Sequence, residues 1–197
     1  MCDEPDEKAN EDLMGSVRIG NKYAFEVLIH RHQRSVLNFI FRFLGNRTDA
    51  EDLTQEVFFR VWKAAGTYKP DAKFTTWLYR IATNLCINRQ HAIRIRRLFV
   101  QSRIQEQIQD SKDSSIIGES AEILSPEDRI IDSEQSTRLL NAINELPTSQ
   151  RVAIILRIYD EMSYQEIAQI MDRSVSSVDS LLIRAKKNLH RKLVEKK

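Results

Sequence analysis

The chain's 197 residues suffice for one large domain or two small ones, and a hydrophobic content of 42% supports real cores. Charged residues at 29%, with 5 Gly and 4 Pro, point to a helix-rich soluble protein. Two cysteines, Cys2 and Cys86, exclude a disulfide framework and favour a reducing cytoplasm. No stretch approaches the length needed to span a bilayer, and the N-terminus lacks the basic-then-apolar layout of a signal peptide. Membrane insertion and secretion are therefore not expected. The net charge is +2, but its distribution is uneven: Asp3, Glu4, Asp6, Glu7, Glu11 and Asp12 crowd the start, while Arg89 to Arg103 and Arg184 to Lys197 are strongly basic. Such a chain can dock a partner surface in one place and a phosphate backbone in another.

In chain order, residues 1–15 are acidic, lack periodicity and read as a disordered tail. A long helix is predicted from Tyr23 to Leu44, with Phe25, Leu28, Ile29, His32, Val36, Phe39, Ile40 and Phe43 on one face and Gly45 and Asn46 ending it. His30 and His32, two apart on a helix, point in different directions and form no metal pair; no Cys/His cluster has ligand spacing. Thr48 with Glu51 predicts a capping box that opens the next helix. Its apolar face is Ala50, Leu53, Thr54, Val57, Phe58, Val61 and Trp62, and its opposite face is Asp49, Asp52, Gln55 and Glu56.

The chain breaks at Gly66 and Pro70, then enters KFTTWLYRIATNLCINR. Phe74, Trp77, Leu78, Ile81 and Leu85 give helical periodicity, and Thr76, Arg80, Thr83, Asn84 and Asn88 form the polar side. Rings, cations and amides so close together suit single-stranded nucleic acid, because rings stack on bases and cations hold phosphates. Burial is the competing reading for Trp77 and Phe58, and periodicity does not decide it. Cys86 reads as a small core residue. Arg94, Arg96 and Arg97 fit a solvated helix end or a phosphate contact equally. This first domain is expected to cover residues 16–98.

Residues 99–124 turn to Gln, Asp, Ser and Glu and read as a flexible linker, with a transient helix around Arg103 to Gln109. A second domain over 125–197 starts at Ser125-Pro126-Glu127-Asp128 with a cap, a first-turn proline and acids. The first helix runs to Leu146, before Pro147; the second carries Val152, Ile155, Leu156 and Tyr159. Ser163 with Glu166 predicts a capping box for the helix of Ile167, Ala168 and Met171. After the turn at Asp172-Arg173-Ser174, the last helix has Val175, Val178, Leu182, Ala185 and Leu189 on one face. Ser176, Ser180, Ile183, Arg184 and Lys187 cluster opposite. Two short helices about a tight turn, with small Ala168 at the approach, suggest a helix-turn-helix whose polar face enters the major groove. An ordinary helical hairpin with solvated charges is the alternative.

Two stretches carry a family resemblance. DAEDLTQEVFFRVW followed by FTTWLYRIATN resembles region 2 of bacterial sigma factors of the extracytoplasmic-function type, and LPTSQRVAIILRIYDEMSYQEIAQIMDRSVSSVDSLLIRAKKNL resembles their region 4. The resemblance implies an all-α protein of two small helical domains joined by a flexible linker. It implies that Asp49, Asp52, Gln55 and Glu56 face the clamp helices of core RNA polymerase. Tyr68, Lys69, Lys73 and Phe74 would lie in a loop that captures a flipped base of the minus-ten promoter element, and Arg80, Asn84 and Asn88 would line the DNA-facing side of the following helix. Arg173, Ser174, Ser176, Ser177, Ser180, Arg184 and Lys187 would contact the minus-thirty-five element, and the linker would thread towards the polymerase cleft.

Asp172 stands where the family's turn normally has glycine, Asp179 where it often has a basic residue, and Leu181 where it often has arginine. The two latter changes are expected to remove positive charge beside DNA, leaving Arg173, Arg184, Lys186 and Lys187 to carry more of it. The partners so implied are core RNA polymerase, promoter DNA and an anti-sigma factor, with no cofactor, metal or small-molecule substrate. A dimeric helix-turn-helix repressor and a polymerase-binding inhibitor that reads no DNA are the competing functions. No phosphate loop, metal cluster or nucleophile-base motif supports an enzyme.

Overall fold

The computed structural model describes residues 9–69, 72–107 and 134–194. Among them are eight α-helices: α1 (Asn10–Arg18), α2 (Lys22–Leu44), α3 (Arg47–Ala64), α4 (Phe74–Gln107), α5 (Glu134–Asn144), α6 (Thr148–Ile158), α7 (Tyr164–Met171) and α8 (Val175–Val194). A 3₁₀ turn, Ala65–Thr67, follows α3. Helices α1 to α4 make an N-terminal module and α5 to α8 a C-terminal one. No helix among the described residues is long and apolar enough to cross a membrane.

Sequence-based expectation and structure part company first at the N-terminus. The tail expected through residue 15 is already helical from Asn10, because Leu13, Met14 and Val17 share one face and are buried. Glu11 in α1 also has a structural task. Its Oε1 accepts a hydrogen bond from the backbone N–H of Phe74 at 2.8 Å, satisfying a donor at the start of α4 that no intrahelical carbonyl can reach.

Helix α2 buries Ala24, Leu28, Val36, Phe39, Ile40 and Phe43 along the predicted stripe. It ends at Gly45, whose φ of 75° lies in the left-handed region that a side chain disfavours. A Cβ there would also stand 2.9 Å from Nδ2 of Asn144 in α5. The cap of α3 differs from the predicted Thr48–Glu51 box. Asn46 is the N-cap, accepting from Asp49 N at 2.8 Å, and Glu51 instead pairs with Arg47 at 2.7 Å.

Helix α4 is longer than expected and runs to Gln107, so residues 99–107 of the predicted linker are helical. Residues 108–124 of that linker, and the predicted helix start at 125–133, lie outside the described residues. Thr76 and Thr83, assigned to the polar side of α4, are in fact buried, so the exposed stripe is narrower than the sequence suggested. Cys86 is fully buried in the core, where burial pushes its thiol pKa up and keeps it inert.

The buried residues of both modules form one continuous cluster. Phe39, Phe43 and Phe74 are fully buried in it, each contributing about 1.5–3 kcal/mol by removal from water. The end of α2 packs on α5 and α6, while α4 packs on α7. Arg151 of α6 is the central polar residue of this junction. It is 7% exposed, and it donates to the carbonyls of Phe43 (2.9 Å), Leu146 (3.2 Å) and Asn144, with its guanidinium over the Phe43 ring. One cation thus satisfies carbonyls that the ends of α2 and α5 leave unpaired.

Candidate nucleic-acid and partner interfaces

On α3, Asp52 and Gln55 are exposed, as a docking face requires. Glu56 is half-buried and pairs with Arg60 at 2.7 Å. Asp49 is more engaged, because Arg89 of α4 holds its carboxylate and leaves the side chain 22% exposed. The four residues therefore share one helix, but only three present their acidic or amide ends to solvent without a bond to α4.

The residues of the loop and α4 separate into two groups. Tyr68 and Phe74 are buried, and their rings form a cluster with Trp77 at centroid separations of 5.0 to 6.3 Å. Phe74 is the first residue of α4 rather than a loop residue, and His32 covers its ring from α2 at 5.4 Å. Burial lowers the pKa of His32 and favours the neutral imidazole, with Arg31 acting in the same direction. In this arrangement neither Tyr68 nor Phe74 offers a free face to a base. Lys69, Lys73, Arg80, Asn84 and Asn88 are exposed. Arg80, Asn84 and Asn88 recur every four residues and so lie along one face of α4.

Helix α7 and its turn lie against that face. Lys73 Nζ donates to Glu166 Oε1 at 2.9 Å, and Arg80 lies 3.7 Å from Asp172 Oδ1. Arg80 and Asn84 also line a cleft of about 430 Å³ whose far wall is Ile170, Met171, Asp172 and Arg173. A larger cleft of about 700 Å³ runs beside it between Lys69, Trp77 and Arg80 on one side and Gln165, Gln169 and Arg173 on the other.

Glu166 is held at two points. The predicted capping box is present: Ser163 Oγ accepts from Glu166 N, and Glu166 Oε2 accepts from Ser163 N at 2.9 Å. The hydrogen bond from Lys73, followed by those from Ser163, holds the Glu166 carboxyl down at about 2. Nearby, Tyr79 of α4 donates from its hydroxyl to Asp160 Oδ1 at 2.7 Å, at the end of α6. Burial pushes Asp160 up to about 6, against the opposing effects of Tyr79 and Arg42. Asp160 Oδ2 is buried with no partner among the described residues.

The turn between α7 and α8 has the geometry that the sequence suggested. Asp172 is the left-handed residue, at φ 52° and ψ 55°, a conformation that Asp tolerates better than most. Ser174 sits at the start of α8, its Oγ accepting from Ser177 N at 3.3 Å, so it caps the helix as well as lying in the candidate DNA set. Arg173, Ser176, Ser180, Arg184 and Lys187 are exposed, and Ser177 is half-buried. Ile183, 60% exposed, and Asp179 lie on the same outer surface. Leu181 does not: at 6% exposure it packs with Val178, Leu182 and Ala185. Leucine at this position therefore belongs to the core and not to the exposed outer surface of α8.

Sequence reasoning missed Glu11, Arg151 and Asp160. The spacing of Leu13, Met14 and Val17 carried a signal for the helix that holds Glu11. Arg151, directly before the apolar run Val152–Leu156, carried a weak signal, and Asp160 none.

The Sigma-70 region 2 family matches residues 28–97, and the Sigma-70, region 4 family matches residues 136–189. The ECF RNA polymerase sigma-E factor of Escherichia coli is 33% identical over 181 residues, covering 92% of this chain and 92% of that protein. Among solved structures, CnrH in complex with the cytosolic domain of CnrY superposes with a TM-score of 0.69 at 23% identity, over 96% of this chain and 100% of that one. The sigma factor RpoE in complex with the anti-sigma factor NepR from Bartonella quintana gives 0.60 at 24% identity, over 86% and 96%.

Proposed function

Because this chain belongs to the extracytoplasmic-function sigma factors of bacterial RNA polymerase, we propose that its two modules divide promoter recognition between α4 and α8, while α3 docks core polymerase. The observation that carries this reading is the pair of exposed polar faces on one chain: Arg80, Asn84 and Asn88 along α4, and Ser176, Ser180, Arg184 and Lys187 along α8. The α8 face suits a major groove, where hydroxyls reach base edges and cations reach phosphates. The α4 face suits an unpaired strand. Lys69 and Lys73 hold phosphates beside it, and the ring cluster of Tyr68, Phe74 and Trp77 forms an apolar floor for an extruded base once it opens.

Melting costs a few kcal/mol per unstacked base, and capture of the freed strand offsets it. The chain thus contributes binding energy rather than bond chemistry. Asp52, Gln55 and Glu56 form the polymerase-facing patch on α3, and Asp49 joins it once Arg89 lets go. An anti-sigma partner covering these surfaces completes the reading; the fold neighbour RpoE of Bartonella quintana was solved with such a partner.

Run-off transcription with purified core polymerase on a panel of promoters tests the proposal. Transcripts that start at defined positions only when the chain is added are expected. Initiation that is the same with and without the chain would overturn it.

A further inference from the structure

We propose that Asp179 is a base-reading residue: its carboxylate accepts a hydrogen bond from the exocyclic amino group of a cytosine in the upstream promoter element and makes that position selective for cytosine. The inference rests on the proposed entry of α8 into a major groove. It deepens that reading by naming one of the bases that the helix chooses.

Position comes first. Ser176, Asp179, Ser180 and Ile183 follow the three-and-four spacing that sets side chains on one face of α8, and all four are exposed. Asp179 is the fifth residue of the helix, in the N-terminal part that a recognition helix presents to base edges.

No structural task accounts for the carboxylate. Ser174 already caps α8 by accepting from Ser177 N at 3.3 Å. The field of a helix N-terminus falls off within the first turn, before Asp179 is reached. The residues three and four away along the helix are Val175, Ser176, Leu182 and Ile183, so no cation of α8 stands beside it. Among the described residues Asp179 has no ion-pair partner on another helix either. The exposed cations nearby in the chain, Arg173, Arg184, Lys186 and Lys187, remain for phosphates.

The chemistry then selects the base. An ionised carboxylate only accepts hydrogen bonds. In the major groove guanine presents N7 and O6 and thymine presents O4, all acceptors that repel it. Adenine offers its N6 amino group but sets the acceptor N7 beside it, whereas cytosine offers N4 alone. Exclusion therefore contributes as much as attraction: the wrong base leaves a desolvated charge facing an acceptor. Ile183, one turn on and 60% exposed, sits beside the carboxylate on the same face. In the groove its apolar side chain keeps water from the hydrogen bond and strengthens it.

The test uses the full chain with core polymerase on the strongest promoter of the run-off panel. Each position of the upstream element is replaced in turn by the other three base pairs, and run-off yield is measured for wild type, Asp179→Ala and Asp179→Asn. Asp179 is exposed and unpaired, so both variants are expected to fold. At one position wild type should favour cytosine over the other bases by about tenfold, the scale of one hydrogen bond to a charged group. Asp179→Ala should flatten the preference there and leave the other positions unchanged. An asparagine amide pairs with N6 and N7 of adenine, so Asp179→Asn should move the preference at that position from cytosine to adenine. An equal rise in yield on every sequence with Asp179→Ala would overturn the proposal, because it would reduce Asp179 to a charge that repels phosphates. Base preferences that coincide in all three proteins would overturn it too. Failure of the promoter-reading role itself would show separately and earlier, as the absence of defined transcripts with wild-type chain on every promoter of the panel.

Discussion

Replacing Asp160 by Asn should remove a pH dependence of stability from the module junction. The carboxyl sits at about 6 instead of the ordinary 3.8, because burial opposes its ionisation more strongly than Tyr79 and Arg42 favour it. At about 1.4 kcal/mol per pH unit, keeping it ionised at neutral pH costs the folded chain about 3 kcal/mol. The folded protein binds this proton more tightly than the unfolded one, so the group's contribution is greatest near pH 4 and is lost as pH rises through 6.

Asn keeps an oxygen acceptor for the Tyr79 hydroxyl and cannot ionise. It also places an amide N–H₂ at the buried position where Oδ2 lacks a partner, which costs about 1 kcal/mol. The net expectation is a variant more stable than wild type by about 2 kcal/mol at pH 7.5, with the gap closing or reversing by pH 4.5. His32 acts with the opposite sign, since burial lowers its pKa below 6.5 and its contribution is lost as pH falls. It is present in both proteins, so only the difference between them isolates Asp160. Urea unfolding at half-unit steps from pH 4.5 to 7.5 reads that difference. Two stability curves that run parallel across the range would refute the assignment.

Arg151→Met should destabilise the chain by about 3–5 kcal/mol, because three carbonyls lose their shared donor, and urea unfolding would show it. Gly45→Ala should cost about 1–2 kcal/mol for the left-handed backbone, with a further loss from the approach to Asn144; the thermal midpoint reads it. Asp52→Lys with Glu56→Lys should weaken binding to core polymerase in a pull-down while leaving affinity for single-stranded promoter DNA unchanged. Arg184→Ala should weaken duplex binding across sequences and reduce the slope of log affinity against log salt by about one.

The elements with sustained periodicity were legible in the sequence. The stripe of α2, the Ser163–Glu166 box and the outward face of α8 are local patterns, each determined within one or two turns of helix. What escaped was set by distant partners. Arg151 has its meaning from Phe43, 108 positions away, and Asp160 from Tyr79, 81 positions away. Neither relation leaves a trace in local spacing. Thr76 and Thr83 were misassigned because α7 covers α4 on a side that an isolated helix would expose to water. The family role places Tyr68 and Phe74 in a loop; Tyr68 lies there but with its ring packed on Trp77, and Phe74 instead opens α4. Leu181 looked like a lost charge when only its chain position was considered; three residues after Val178 and four before Ala185, it is one more residue of the apolar stripe.

The guanidinium of Arg151 has a consequence for how the molecule melts. Carbonyl ends from both halves converge on a single donor set, so neither half can loosen without stranding polar groups of the other. Heat or denaturant should therefore meet one cooperative transition and not two, although the halves have separate work to do. A binding partner that seizes either half must overcome the shared anchorage first, which makes engagement at one surface felt at the other across the whole body.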